Sequence, residues 1–188
     1  VKFALVVGHE ADRPGAHAVA PLDCYEYEYN KAFAALIACA LMDDGIQSEI
    51  FFRDKVGIVG AYDEVNRFDP LGVIELHFNA AGMGDIRGTE TLFSSKIAGS
   101  DRLAAAVHAS ICVGLNRRGS LDRGVKLVQP TDRGFVNLTS AKCPSALIEP
   151  FFGDSKEDAT FGLEQKKELA AAVARGIAIF MRGQSALN

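Results

Sequence analysis

The chain has 188 residues, 48% of them hydrophobic, and a formal net charge of -4. That length fits one domain over residues 1–188 with a sizeable core, and the acidic balance without a basic stripe argues against nucleic acid as a partner. No segment approaches the ~20 apolar residues that span a bilayer, and Cys24, Cys39, Cys112 and Cys143 form neither a CxxC pair nor a disulfide scaffold.

Residues 3–7, FALVV, are a short apolar run closed by Gly8 and read as a buried strand. No signal peptide is expected, because the chain opens directly on this run. Residues 11–21 contain Pro14, Gly15 and Pro21 and read as a loop. A helix is expected next, with Asp23 and Glu26 at the spacing of a capping box and Gly45 as the stop. Within it Tyr29, Phe33, Leu36, Ile37, Ala40 and Leu41 recur on one stripe. Residues 48–52 read as a strand, a glycine-punctuated segment follows, and 73–78 read as another strand.

Residues 101–112 have helical periodicity, with Leu103, Ala106, Val107 and Ile111 inward and His108 off that stripe, toward solvent. Cys39 and Cys112 fall within helical patterns and are expected as small buried hydrophobes. Residues 146–148 read as a strand, and about 163–180 as a closing helix that buries Leu169, Val173, Ile177 and Phe180. Strands alternating with helices predict an α/β fold: a single layered domain whose mainly parallel central sheet is flanked by helices.

Two histidines sit just past apolar runs, His9 after FALVVG and His77 after VIEL. Ligands in open α/β sheets gather beyond the carboxyl ends of the strands, so both histidines are expected at one mouth. Glu75 and His77 project to the same side of their strand, which makes that side polar. A third ligand comes from Glu26 or Glu28. If the segment is helical, Glu26 lies within roughly 20° of Phe33 and Ile37 and Glu28 about 160° from it. An extended segment would put both on one face. A carboxylate at the head of an apolar stripe needs a partner, which a metal or the helix N-terminus supplies. Two imidazoles and one carboxylate fit catalytic Zn²⁺. Glu149, just past residues 146–148 and followed by Pro150, stands where a general base belongs.

These motifs, in this order, resemble the zinc-dependent N-acetylmuramoyl-L-alanine amidase family, the catalytic domain typified by amidase type 3 enzymes. The matching segments are VVGH ending at His9, EYEYNKAFAALIACALMDDG from Glu26, HFNA from His77, GTETLF from Gly88, and PSALIEPFF containing Glu149. An Arg-Gly pair of the family corresponds to RGV at Arg123 or RGS at Arg118. Departures are Glu10, where the family has glycine, and Glu75-Leu76, where it often has Ser-Ile. A carboxylate at position 10 could disturb the metal ligands or hold His9 from outside.

The resemblance implies hydrolysis of the amide joining the lactyl group of N-acetylmuramic acid to L-alanine. His9, Glu26 and His77 would hold Zn²⁺, and Glu149 would carry the proton. Asn79, Glu10 and Arg123 would be substrate contacts or supports of the ligands. Peptidoglycan or muropeptide would be the substrate, acted on by a monomer at the cell wall or on released fragments, as in a phage endolysin, a recycling enzyme or part of an autolysin. Residues 94–117 have room for one ordinary helix and not for the inhibitory helix of some autolytic relatives, so the site is expected to be open.

Two other readings remain at this point. A zinc-dependent carboxypeptidase or aminopeptidase would share the sheet and the chemistry, with Arg118 or Arg123 anchoring a peptide terminus. A non-catalytic wall-binding module predicts an eroded site, although all four key residues are present. His17 could line the cleft, while Phe135, Phe151 and Phe152 read as core or groove lining.

Overall fold

The computed structural model describes residues 1–185. Its strands are β1 (Lys2–Val7), β2 (Gln47–Phe51), β3 (Val73–Leu76), β4 (Thr89–Phe93), β5 (Asp122–Leu127) and β6 (Ser145–Glu149). Its helices are α1 (Glu26–Asp43), α2 (Gly57–Phe68), α3 (Ser100–Gly114), α4 (Phe135–Ser140), α5 (Lys156–Glu164) and α6 (Lys166–Ser185), with a 3-10 turn at Gly119–Leu121.

The strands form one sheet in the order β2-β1-β3-β6-β4-β5. Neighbours run parallel except β4, which is antiparallel to β6. Phe3 to Val7 of β1 and all of β3 are buried, as expected where helices cover both faces of parallel strands. Phe3, Leu5, Ile74, Leu76, Ala146 and Ile148 point toward α1, α3 and α6, whereas Ala4, Val6 and Val73 pack with Tyr62 and Val65 of α2. Leu147 meets Leu138 of α4 on that second face.

Several elements depart from the sequence reading. Residues 57–68 form α2: Gly57 and Gly60 read as breaks, but Ile58, Ala61, Tyr62 and Val65 recur at helical spacing and pack on the sheet. β4 and β5 are also additional strands, as α4 and α5 are additional helices. The closing helix is divided at Gln165 between α5 and α6, while Leu169, Val173, Ile177 and Phe180 are buried as expected.

The start of α1 lies later than predicted. Tyr25 is its N-cap and its N–H donates to Glu28 Oε2 at 3.3 Å, whereas Asp23 sits before the helix at φ 47. Glu28, not Glu26, therefore closes the capping box, and Glu26 is left for another role. Cys39 is exposed on the outer face of α1, while Cys112 is buried as expected.

His108 is buried rather than solvent-facing. It shares a second stripe of α3 with Ala104 and Cys112, and β4 and β5 reach far enough to cover it: its ring contacts Thr91 and Asp122. One helix, α3, fills the interval after β4, and it packs on α6 and the sheet.

Candidate active site

Val7 of β1 pairs with Leu76 of β3, so His9 and His77 emerge from adjacent strand ends. A Cβ on Gly8 would strike the Leu76 carbonyl oxygen and lie 2.5 Å from His77 Cε1. Only glycine lets the two ends approach this closely. The chain then turns through His9 at φ 67, and the two rings meet edge to face at 5.0 Å.

Glu26 reaches the same point from the first turn of α1. Loop residues Pro14 and Ala16 pin that turn, accepting the N–H groups of Tyr27 and Glu26 at 2.9 Å each. Gly15, at φ +82, lies under the site, where a Cβ would come 2.7 Å from Glu26 Oε2 and from the His9 ring. Glu26 is 3% exposed, whereas Glu28 faces solvent, as the helical phase predicts. Its Oε1 lies 2.7 Å from His77 Nδ1 and accepts the Phe78 N–H at 3.1 Å. Its Oε2 lies 3.0 Å from His9 Nε2 and accepts the Ala16 N–H at 3.3 Å.

Burial alone would raise the pKa of Glu26, but the hydrogen bonds from His77 and His9 outweigh it and hold the carboxyl at about 2. Burial depresses His77, and the carboxylates of Glu26 and Glu75 more than reverse this, raising it to about 10. One donor atom each from His9, Glu26 and His77 lies within 4.8 Å of the others. This buried carboxylate between two imidazoles fits a zinc ion, which takes nitrogen and oxygen donors and leaves a position for substrate.

The far nitrogen of His77, Nε2, is 3.1 Å from Glu75 Oε1. Glu75 is fully buried and also accepts from Arg53 Nη1 at 3.0 Å, the Tyr62 hydroxyl at 2.7 Å and Asn137 Nδ2 at 2.7 Å. Burial opposes its ionisation, but His77, Arg53 and Tyr62 hold the carboxyl at about 2. Such a carboxylate fixes the orientation of a ligating imidazole.

Across a cleft of about 590 Å³ stands Glu149, at the end of β6. Asn79 Nδ2 donates to Glu149 Oε2 and to Glu90 Oε1, each at 2.7 Å. Asn79 is held in turn by backbone bonds to Phe151 and Gly153, which continue the β3–β6 pairing beyond the strand ends. Burial, and next the neighbouring Glu90, push the Glu149 carboxyl up to about 8. Glu90 itself is held low: burial opposes this, and Lys126 Nζ at 2.5 Å and Arg123 Nε at 2.7 Å outweigh it.

His9, Glu26, His77, Asn79 and Glu149 all line this cleft. Arg123 adjoins it through Glu90 and stacks over Phe152 at 4.9 Å, whereas Arg118 is exposed and is not among the cleft-lining residues. Glu10 turns to Arg13 at 2.6 Å and lies 3.8 Å from Arg53 Nη2, so its link to the ligands runs through Arg53 and Glu75. His17 packs on Tyr25 outside the cleft lining, and Phe151 and Phe152 are core. Sequence reasoning gave no role to Arg53, Tyr62, Asn137 or Glu90. The polar side of β3 carried a signal for Glu75, and the GTE motif one for Glu90. Arg53, Tyr62 and Asn137 come from distant segments with no spacing signal.

The sequence profile of the N-acetylmuramoyl-L-alanine amidase family matches residues 4–179. No curated protein sequence matches the chain significantly. Among solved structures, N-acetylmuramoyl-L-alanine amidase AmiC2 of Nostoc punctiforme superimposes with TM-score 0.82 at 20% identity, covering 96% of this chain and 97% of that one. The catalytic domain of the CD27L endolysin, which targets Clostridia difficile, gives 0.77 at 25% identity over 94% and 96%. The CwlD amidase of Clostridioides difficile, solved with the GerS lipoprotein, gives 0.84 at 16% identity over 97% and 98%.

Proposed function

The chain belongs to the N-acetylmuramoyl-L-alanine amidase family, and on that premise we propose that His9, Glu26 and His77 hold Zn²⁺ while Glu149 is the general base. The reaction is hydrolysis of the amide between N-acetylmuramic acid and L-alanine in peptidoglycan or muropeptides. The observation that carries the assignment is the Glu26 carboxylate shared between His9 and His77, with Glu149 across the same cleft.

Zinc in that position supplies a Lewis acid that polarises the scissile carbonyl and acidifies water. Glu149 takes a proton from the attacking water as its oxygen bonds to the lactyl carbonyl carbon. The same carboxyl then delivers that proton to the alanine nitrogen as the C–N bond breaks, leaving a free amine and a lactyl carboxylic acid that gives up its proton to solvent. A carboxyl raised to about 8 in the metal-free protein suits a group that must both accept and return a proton. Asn79 holds the Glu149 carboxyl in place through its Oε2, and Glu75 holds His77.

Neither arginine offered as an anchor for the peptidase reading is placed for that role. Arg118 stands apart from the cleft lining, and Arg123 is engaged with Glu90. The deciding experiment incubates the zinc-loaded protein with a defined muropeptide. Release of whole stem peptides with one zinc per site supports the assignment, whereas stepwise release of terminal amino acids overturns it.

A further inference from the structure

Against the face of β4 turned away from Glu90 lies a second group of side chains of metal-ligating type. His108 and Cys112 lie four residues apart on α3 and therefore on one face of that helix. Asp122, the first residue of β5, completes the group. His108 Nε2 is 2.9 Å from Asp122 Oδ1 and 3.5 Å from Cys112 Sγ, and the three donor atoms lie within 4.8 Å of one another. Tetrahedral coordination by nitrogen, sulfur and oxygen at usual zinc bond lengths spaces the donors about 3.3–3.6 Å apart, so a small opening of the His–Asp contact admits an ion.

Two further features prepare the group. Thr91 Oγ1 lies 3.1 Å from His108 Nδ1 and anchors the ring with Nε2 facing the cysteine and the aspartate. His108 and Cys112 are buried while the Asp122 side chain is 45% exposed, so the cluster has closed walls and one opening to solvent.

We propose that His108, Cys112 and Asp122 form a second site for a thiophilic divalent cation of the zinc type. Imidazole, thiolate and carboxylate together select such an ion over magnesium or calcium, which take oxygen donors. On binding, the Cys112 thiol loses its proton to solvent and the sulfur becomes a ligand. The imidazole proton moves to Nδ1, where it is donated to Thr91. The ion competes with the proton for the sulfur, so occupancy rises with pH.

The site is spectroscopically separable from the first, because His9, Glu26 and His77 include no sulfur. The test titrates metal-free protein with Co²⁺, counting bound metal and following thiolate-to-cobalt charge-transfer absorption in the near ultraviolet. Wild type is expected to bind two equivalents and show the band. His77→Ala should keep the band with one equivalent, and Cys112→Ser should lose the band while keeping the other. Asp122→Asn, at a half-exposed position, should weaken the band-forming event by tenfold or more. A wild type with one equivalent and no band, a band that survives Cys112→Ser, or Asp122→Asn titrating as wild type overturns the proposal.

Discussion

Glu75 and His77 stand two residues apart on one side of the β3 segment, and the Glu75 carboxylate lies 3.1 Å from the imidazole nitrogen that faces away from Glu26. The histidine ring is thus held between two carboxylates. Glu75→Gln keeps the shape of this contact and removes its charge. Zinc affinity should fall about 10- to 100-fold, while kcat at saturating zinc changes much less. Competition with a chromophoric chelator reads this directly, and unchanged affinity would show that Glu75 serves only the packing around Tyr62 and Arg53.

Replacing Glu149 with Gln should lower kcat by about 10²- to 10⁴-fold, the usual range for a positioned proton carrier. Bound zinc should stay at the wild-type stoichiometry, because Glu149 lies across the cleft from the three ligands. Metal analysis beside initial rates on a muropeptide separates this from a folding defect.

Glu90 acts on Glu149 first through the hydrogen bond between the two carboxyls and then through its charge. Its carboxylate shares the Asn79 amide with Glu149 and helps to push that carboxyl up. Glu90→Gln removes the negative neighbour, so Glu149 ionises more readily. The acidic limb of the kcat/KM profile should move to lower pH by about one unit. A limb that stays in place, or moves to higher pH, would contradict the assignment of Glu149 to it.

Metal-free protein should be most stable near pH 4.5. Glu26 and Glu75, held at about 2 against an ordinary 4.5, contribute stability that is present above 4.5 and lost as pH falls toward 2. Glu149, raised to about 8, contributes stability present below 4.5 and lost as pH rises through 8. His77, raised from 6.5 to about 10, adds a loss that runs from 6.5 through 10. Zinc binds the neutral imidazole and competes with its proton, so the Tm gap between loaded and metal-free protein should widen over that alkaline range. Calorimetry with and without chelator tests this, and a constant gap would exclude His77 as a ligand.

Gly15→Ala should destabilise the fold by about 1 kcal/mol or more, from the positive φ and from the collision with Glu26 and His9. Zinc affinity should drop with it. The same substitution at Gly45, also at positive φ but with open space around it, should cost stability alone.

The two histidines and Glu149 were legible because each follows an apolar run, and a parallel sheet collects such ends at one mouth. Glu26 was legible through helical phase, since burial of Phe33 and Ile37 fixes which glutamate turns inward. The supports were not. Arg53 follows β2, Tyr62 lies in a helix disguised by two glycines, and Asn137 lies in a six-residue helix with too little periodicity to read. Their convergence on Glu75 depends on how α2 and α4 pack over the sheet, which local pattern does not encode. His108 misled for a related reason, because its burial comes from β4 and β5, whose short polar-rich sequences hid them.

Alternation along β4 sends Glu90 to the catalytic cleft and the adjacent Thr91 to His108 on the reverse. Sliding β4 by a single position would exchange these outlooks, turning a hydroxyl toward Glu149 and a carboxylate into the apolar layer beneath α3. Correct alignment is therefore enforced from two directions at once, and a misaligned chain would forfeit both. Folding variants trapped in that slipped arrangement should be inactive and visibly loosened around α3 together, never one without the other.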